Sequence, residues 1–222
     1  MLRGVIFDMD GVLVDSHPLH MRTWKQFLLS VGKSVSDQDL EFVLEGRKQR
    51  DILRHFLGEL TEEQVRLYGE HKDKFYQEES AAIEAMPGVR EFIEQLDRES
   101  IPMAVASCGR ARRVTHILDI LLLRKHFQVV VTGDDVQEGK PDPTIFNLTA
   151  RRLNLDAESV LVVEDSVSGV RAAKAAGMKC LGITLPFRAQ ELIRAGVDRV
   201  LSSFCEASLD SVLELFQTRL AV

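Results

Sequence analysis

Cysteine is scarce in this chain of 222 residues, and the three that occur, Cys108, Cys180 and Cys205, lie far apart. An odd number of cysteines at wide spacing indicates neither a disulfide framework nor a zinc site. Because disulfide-free proteins are typical of reducing compartments, we expect a cytoplasmic protein.

Long apolar runs and an excess of basic residues are missing as well. No run approaches the roughly 18 residues that a membrane span requires, and the short apolar run at the N-terminus leads straight into charged residues, so no signal peptide is expected. Acidic residues outnumber basic ones by 34 to 28, which gives a formal net charge of -6, and no basic stripe with interleaved aromatics is present. We therefore expect neither a membrane nor a nucleic-acid partner, and we expect a monomer.

The chain does contain five short apolar segments rich in β-branched residues. Each is apolar throughout rather than alternating, which is typical of strands buried on both faces of a sheet. Helical patterns lie between them, as in parallel α/β sheets with helices on both faces. The five predicted strands are GVIFD, PMAVAS, FQVVVTG, SVLVVED and KCLGIT. The sequence thus predicts an α/β fold with a Rossmann-like parallel sheet.

One stretch, residues 16–85, interrupts this alternation with helical patterns only. It holds the segments HMRTWKQFLLSVG, RDILRHFLG and TEEQVRLYGEHKDKFYQEE, the last opened by a capping box at Thr61 and Gln64. A connection of about 70 residues without structure of its own is implausible in a compact domain. We predict a helical cap domain over residues 16–85, inserted into a catalytic core made of residues 1–15 and 86–222.

Polar side chains stand at the carboxyl ends of four predicted strands, which is the edge where open parallel sheets bind ligands. They are Asp8 and Asp10 after the first strand, Ser107 after the second, Lys140 in the loop after the third, and Glu164 and Asp165 after the fourth. Taken singly, each has an ordinary interpretation as a turn former, a helix cap or a solvated loop residue. Taken together, the acidic groups would repel each other unless a cation joined them, and Mg²⁺ prefers such oxygen ligands together with water and phosphate.

This set of groups suits phosphoryl transfer. Asp8, expected to be ionised from an ordinary pKa of about 3.9, can attack phosphorus directly. Asp10 can protonate the leaving oxygen and later deprotonate water, which requires its pKa to be raised. Lys140 and Mg²⁺ would balance the charge of the phosphoryl group, and the Ser107 hydroxyl would hold one of its oxygens.

Four ordered segments resemble the motifs of the haloacid dehalogenase-like hydrolase superfamily, in the branch with a helical cap after the first motif. They are VIFDMDGVLVDS, MAVASCGR, EGKPDPTIF and VLVVEDSVSGVRAAKAAG, and the resemblance covers essentially the whole chain. The resemblance implies that Asp8 is the nucleophile that forms an aspartyl-phosphate, and that Asp10 is the acid/base. It also implies a Mg²⁺ site formed by Asp8, the backbone carbonyl of Asp10, and Asp165, with Glu164 ligating the metal or lying just behind. An aspartate at position 10 places the chain with phosphate-handling members rather than with dehalogenases.

Two kinds of enzyme in the superfamily resemble this chain. One kind is the phosphatases of small phosphorylated metabolites such as sugar phosphates and phosphoglycolate; the other is β-phosphoglucomutase, which returns the phosphoryl group to the sugar. His20 and Gly46 in the predicted cap favour the mutase. Against it, Gln49 stands where the resemblance leads us to expect an arginine for a second phosphate, and bidentate arginine is the usual tool for that purpose.

A cap lysine is also expected in the mutase, and its position falls near Phe75, beside Lys74. Arg47, Lys48 and Arg50 remain candidate replacements for the missing arginine. We favour a Mg²⁺-dependent phosphatase acting on a small phosphorylated metabolite, with a hexose-phosphate mutase as the alternative. A phosphoacceptor module without turnover is a third possibility, against which the cap and Asp10 count.

Overall fold

The computed structural model describes residues 1–217, and its core is a six-stranded parallel sheet. The strand order is β3-β2-β1-β4-β5-β6, so the first strand lies in the middle with β2 and β4 on either side. The strands are β1 (Gly4–Phe7), β2 (Met103–Ala106), β3 (Val129–Val131), β4 (Val160–Glu164), β5 (Lys179–Ile183) and β6 (Arg199–Leu201). This arrangement confirms the predicted α/β fold with a Rossmann-like parallel sheet.

Helices cover both faces of the sheet and fill the long connection after β1. They are α1 (His17–Ser30), α2 (Asp37–Leu40), α3 (Gln49–Leu57), α4 (Glu62–Glu79), α5 (Val89–Arg98), α6 (Ala111–Ile120), α7 (Thr144–Arg152), α8 (Val167–Ala175), α9 (Pro186–Arg194) and α10 (Leu209–Leu213). None of the helices that the structure describes is long and apolar enough to cross a membrane.

The side chains of β1 alternate between two apolar cores, one on each face of the sheet. Val5 and Phe7 belong to the core that contains Phe92 of α5, whereas Ile6 belongs to the core that contains Phe146 of α7. Every residue of β1 is buried. The strand is therefore held from both faces, and the residues that follow it are placed at the rim of the sheet.

The structure contains the five predicted strands and one more. The additional strand, β6, has only three residues at the edge of the sheet, and all three are half-buried, so it lacks the apolar run by which the other strands were predicted. The capping box at Thr61 and Gln64 is present at the start of α4. Pro143 occupies the N-cap of α7, whose first helical residue is Thr144.

Helices α1 to α3 have an apolar core of their own, and α4 packs against it. It consists of Trp24, Phe27, Leu28, Leu40, Val43, Ile52, Leu53 and Phe56. Before α5, this connection consists of helices α1 to α4 with short 3-10 turns, together with two isolated bridges, which pair Val14 with Asp10 and with Ala85. The bridge between Val14 and Ala85 joins the two ends of the helical segment.

Candidate active site

Asp8 and Lys140 form the buried centre of the site. Asp8 follows β1 directly, and its Oδ1 accepts a hydrogen bond from Lys140 Nζ at 2.5 Å. The same ammonium group donates to Glu164 Oε1 at 2.6 Å and to the carbonyl of Ala106, at the end of β2, at 3.2 Å. All three protons of the lysine are used, so this one group ties together the ends of β1, β2 and β4.

Glu164 binds that lysine with one carboxylate oxygen and the backbone with the other. While its Oε1 accepts from Lys140, its Oε2 accepts from the backbone N–H groups of Asp165 and Ser166, each at 2.9 Å. The carboxylate also fills the space next to Gly169, where an added Cβ would lie 1.8 Å from Oε1. Glu164 is thus held in one orientation by the turn into α8.

Three of the four predicted metal residues lie together. Asp8, Glu164 and Asp165 are buried, and each places one carboxylate oxygen within 4.8 Å of the others. Oδ2 of Asp165 is buried without a hydrogen-bond donor of acceptable geometry among the described residues, although Nε2 of His17 lies 3.0 Å away. Three buried carboxylates with oxygens this close together fit a hard divalent cation such as Mg²⁺.

The electrostatics of this cluster differ from our expectation for Asp8. Burial raises the pKa of Asp8 to about 8, and the carboxylates of Glu164 and Asp165 add to the rise, with Lys140 acting against it. Burial also raises the pKa of Asp165. The ordinary value that we assumed for Asp8 neglected this crowding of carboxyl groups, and a divalent cation bound among them would favour the charged forms.

Asp10 does not belong to the group formed by Asp8, Glu164 and Asp165, and its carboxylate binds an arginine instead. Arg113, in the first turn of α6, donates to both carboxylate oxygens, with Nη1 2.8 Å from Oδ1 and Nη2 2.7 Å from Oδ2. Ser16 donates to Oδ1 at 2.7 Å, and Nε2 of His20 lies 3.1 Å from the same oxygen. Burial opposes the charge of Asp10, but Arg113 and His20 outweigh it and hold the pKa of Asp10 well below its usual value. The expectation of a raised pKa for Asp10 is therefore wrong for this state of the protein.

Ser107, one of the two residues predicted for phosphate binding, and His20, a predicted cap residue, face the same cleft. Ser107 is buried at the end of β2, where its Oγ accepts from the N–H of Gly109 at 3.1 Å. Burial lowers the pKa of His20 to about 3, so its imidazole is neutral, and its Nε2 lies 3.1 Å from Asp10 Oδ1 and 3.2 Å from Arg113 Nη1. Both residues line the cleft together with Asp8 and Asp10.

The remaining predicted cap residues also line the cleft, but their polar groups are engaged elsewhere. Gly46 has a φ of +68°, and a Cβ there would lie 3.0 Å from Ser166 Oγ, so the loop passes close to the core. Arg47 pairs with Glu45 at 2.9 Å. Gln49 donates to Asp73 at 2.9 Å and thereby joins α3 to α4.

The cap lysine that faces the cleft is Lys72, not a residue near Phe75. It is 2 % exposed, and its ammonium group lies 4.7 Å from the centroid of the Tyr76 ring. Burial, together with repulsion from Arg113, lowers the pKa of Lys72 to about 7. Lys72 lies three residues before Phe75 in α4, which is about one helical turn.

Sequence reasoning also missed Arg113. The signal was present, because α6 starts just after the Ser107 strand end and therefore presents its first turn to the rim of the sheet. Arg110 and Arg113 are three residues apart and share that turn. A basic residue in the first turn of a helix that follows a strand end is thus a signal for a cation at the rim of the sheet.

The chain is similar to known proteins both in sequence and in fold. Residues 5–183 match the family model described as haloacid dehalogenase-like hydrolase. The "Phosphorylated carbohydrates phosphatase" of Thermotoga maritima is 36% identical over 190 residues, which cover 80% of this chain and 83% of that protein.

Two solved structures show the same fold. CbbY from Rhodobacter sphaeroides, as a mutant in complex with xylulose-(1,5)bisphosphate, has a TM-score of 0.81 and 28% identity, covering 93% of this chain and 96% of that one. A putative β-phosphoglucomutase from Thermotoga maritima has a TM-score of 0.73 and 32% identity, covering 96% and 99% of the two chains.

Proposed function

The chain belongs to the haloacid dehalogenase-like hydrolases, and from that premise we propose that it is a Mg²⁺-dependent phosphatase of a small phosphorylated metabolite. The observation that carries the proposal is the position of Asp8, a buried carboxylate at the end of the central strand, 2.5 Å from a fully buried lysine. A matching relative is itself named as a phosphatase of phosphorylated carbohydrates.

In the first step, a carboxylate oxygen of Asp8 attacks the phosphorus of the ester. The bond from phosphorus to the leaving oxygen breaks, and that oxygen takes a proton from Asp10. The product is an aspartyl-phosphate on Asp8 and a free alcohol. This step needs a proton on Asp10, which the contacts of Arg113 and His20 oppose, so we propose that binding of the leaving group loosens those contacts.

In the second step, Asp10 accepts a proton from water while the water oxygen attacks phosphorus. The acyl-phosphate bond breaks, inorganic phosphate is released and the Asp8 carboxylate is restored. The charged form of Asp10, which Arg113 and His20 stabilise, is the form that this step requires. Lys140 stays in contact with the Asp8 carboxylate, and the Ser107 hydroxyl, which lines the cleft, holds a phosphoryl oxygen.

The residues that would hold Mg²⁺ are Asp8 and Asp165, with Glu164 beside them and the carbonyl of Asp10 as the family resemblance implies. When bound, the cation offsets the negative charge of the phosphoryl group and of the carboxylates around it. We further propose that residues 16–85 act as the cap, excluding bulk water while they cover the cleft.

A hexose-phosphate mutase is the alternative function. His20 in the cleft and the similarity to a putative β-phosphoglucomutase favour it. The candidate replacements for the missing arginine do not: Lys48 donates to the carbonyl of Val136 at 2.6 Å, and Arg50 pairs with Glu138 at 3.2 Å. Together with the pairing of Arg47, these contacts engage all three candidates, which supports hydrolysis.

The test is release of inorganic phosphate from a panel of phosphorylated sugars and acids in the presence of Mg²⁺. We expect many turnovers per chain, and we expect Asp8→Asn to abolish them while the fold is retained. Asp15→Asn is the matched control, because that nearby carboxylate is exposed. Turnover retained in Asp8→Asn would contradict the assignment. Formation of glucose 6-phosphate from β-glucose 1-phosphate and a trace of glucose 1,6-bisphosphate, without free phosphate, would establish the mutase.

A further inference from the structure

Segment 45–50, which leads into α3, lies against the turn between β4 and α8. The carbonyl of Glu45 accepts a hydrogen bond from Ser168 Oγ in the first turn of α8. A Cβ on Gly46 would lie 3.0 Å from Ser166 Oγ, so little space separates the segment from this turn. The segment is therefore fixed beside the carboxylates at the end of β4.

The same segment binds the loop between β3 and α7, which carries Lys140. Lys48 Nζ donates to the carbonyl of Val136 at 2.6 Å and to the carbonyl of Gln137 at 3.3 Å. Among residues 1–217, no other donor forms a hydrogen bond with either carbonyl. Lys48 therefore holds a stretch of this loop that the described backbone does not hold itself.

Gly139 brings the loop into close contact with Lys48. A Cβ at position 139 would lie 2.6 Å from Lys48 Cγ and 3.3 Å from the Lys48 backbone nitrogen, so a larger residue would force the two segments apart. The next residue is Lys140, whose fully buried ammonium group reaches Asp8. The contact with Lys48 thus fixes the loop directly before Lys140.

Lys48 is not among the described residues that line the catalytic cleft, although both of its neighbours in the chain are. Any effect of Lys48 on the reaction must therefore pass through the loop that it binds. The nearby pair of Arg50 and Glu138 joins the same two segments at 3.2 Å, but Glu138 is 65% exposed. Because an exposed ion pair contributes little, Lys48 makes the main contact.

We propose that Lys48 is a positioning residue for Lys140. It holds the loop between β3 and α7 where the Lys140 ammonium group reaches both Asp8 and Glu164. Because Lys48 belongs to the helical segment 16–85, the position of Lys140 then depends on contact between that segment and the sheet. The inference rests on the proposed function for its effect on turnover, whereas the position of Lys140 can be measured without turnover.

Steady-state phosphate release with Mg²⁺ tests the effect on turnover. Lys48→Met keeps the apolar stem and removes the donor, so kcat should fall about tenfold, the effect of one hydrogen bond from a charged group. KM should change less than about twofold, because Lys48 does not line the cleft. Lys48→Arg keeps a cationic donor and should recover most of kcat. Lys25→Met is the control, since Lys25 pairs with Asp37 at 2.6 Å but is 52% exposed, and it should leave both constants unchanged.

Acetylation of lysines by acetic anhydride, followed by mass spectrometry of the peptides, reports on Lys140 without turnover. The Lys140 side chain is fully buried, so it reacts only when the structure opens locally. In Lys48→Met we expect its acetylation to be about tenfold faster, because opening no longer breaks that hydrogen bond. Lys72, which is buried on α4, should react at an unchanged rate. Gly139→Ala displaces Lys48 from the side of the loop and should have the same effect on Lys140.

Unchanged kcat and unchanged acetylation of Lys140 in Lys48→Met would overturn the inference. A raised KM with unchanged kcat would do so too, because it would place Lys48 on the substrate. Equal acceleration at Lys72 would indicate general unfolding and would equally contradict it. If wild-type protein releases no phosphate while Lys140 still reacts faster in Lys48→Met, the proposed hydrolase fails and the positioning role of Lys48 stands.

Discussion

Replacing Lys140 with methionine tests whether one ammonium group holds the acidic cluster together. Its side chain is fully buried, and Nζ lies 2.5 Å from Asp8 Oδ1 and 2.6 Å from Glu164 Oε1. Methionine keeps a similar apolar stem and removes the charge together with three hydrogen bonds. Removing one partner of a buried ion pair costs about 3–5 kcal/mol, because the remaining charge is left uncompensated. We expect metal-free Lys140→Met to lose that much unfolding free energy near neutral pH.

Urea unfolding followed by circular dichroism in the presence of a chelator measures this loss. Lys179→Met is the matched control, because Lys179 also pairs with an aspartate, Asp198 at 3.1 Å, but its side chain is 42% exposed. An exposed pair contributes only about 0–1 kcal/mol. Mg²⁺ should restore part of the stability of Lys140→Met, since the cation would compensate the same carboxylates. A loss no larger than that of the control would refute the role given to Lys140.

Three further predictions concern the carboxylates and the metal. Asp10→Asn should lower kcat by about 10²–10⁴-fold, the usual contribution of a general acid–base, and steady-state phosphate release would show a loss below tenfold if the assignment is wrong. Chelation of divalent cations should abolish turnover, and added Mg²⁺ should restore it without a change in circular dichroism; activity that persists in the chelator would contradict the metal site. Because the pKa of Asp8 is raised to about 8 in the folded protein, Asp8 binds its proton more tightly there than in the unfolded chain. Metal-free protein should therefore lose stability as the pH rises from about 4 towards 8. Asp8→Asn should lack this part of the slope in urea unfolding, and equal slopes in the two proteins would exclude Asp8 as the cause.

Much of the fold could be predicted because strands that are buried on both faces of a sheet have continuously apolar sequences. The residues of β1 and β4 are buried throughout, so their segments read as continuous apolar runs. Asp8, Lys140 and Glu164 each follow a predicted strand, and parallel strands end at the same edge of a sheet. Their proximity could therefore be predicted from the sequence. β6 was not predicted, because a half-buried edge strand of three residues does not require a continuous apolar run.

The electrostatics of the site could not be predicted from the motif. Whether Asp10 is protonated depends on Arg113, and that contact depends on the phase of α6 relative to the rim, which the spacing of residues does not reveal. The same holds for Lys72, whose side chain turns inward from α4. The charged groups that line the cleft depend on which faces of the helices point into it. These helices are far apart in the sequence, so their relative orientation cannot be read from it.

The central claim is that Asp8 carries the phosphoryl group during turnover. Rapid acid quenching of the working enzyme, followed by mass spectrometry of its peptides, tests this most directly. We expect a phosphoryl group on the peptide that contains Asp8, absent in Asp8→Asn and lost from wild type on incubation at neutral pH with Mg²⁺. Turnover without a phosphorylated Asp8 peptide, or a phosphoryl group found on another residue, would contradict the account.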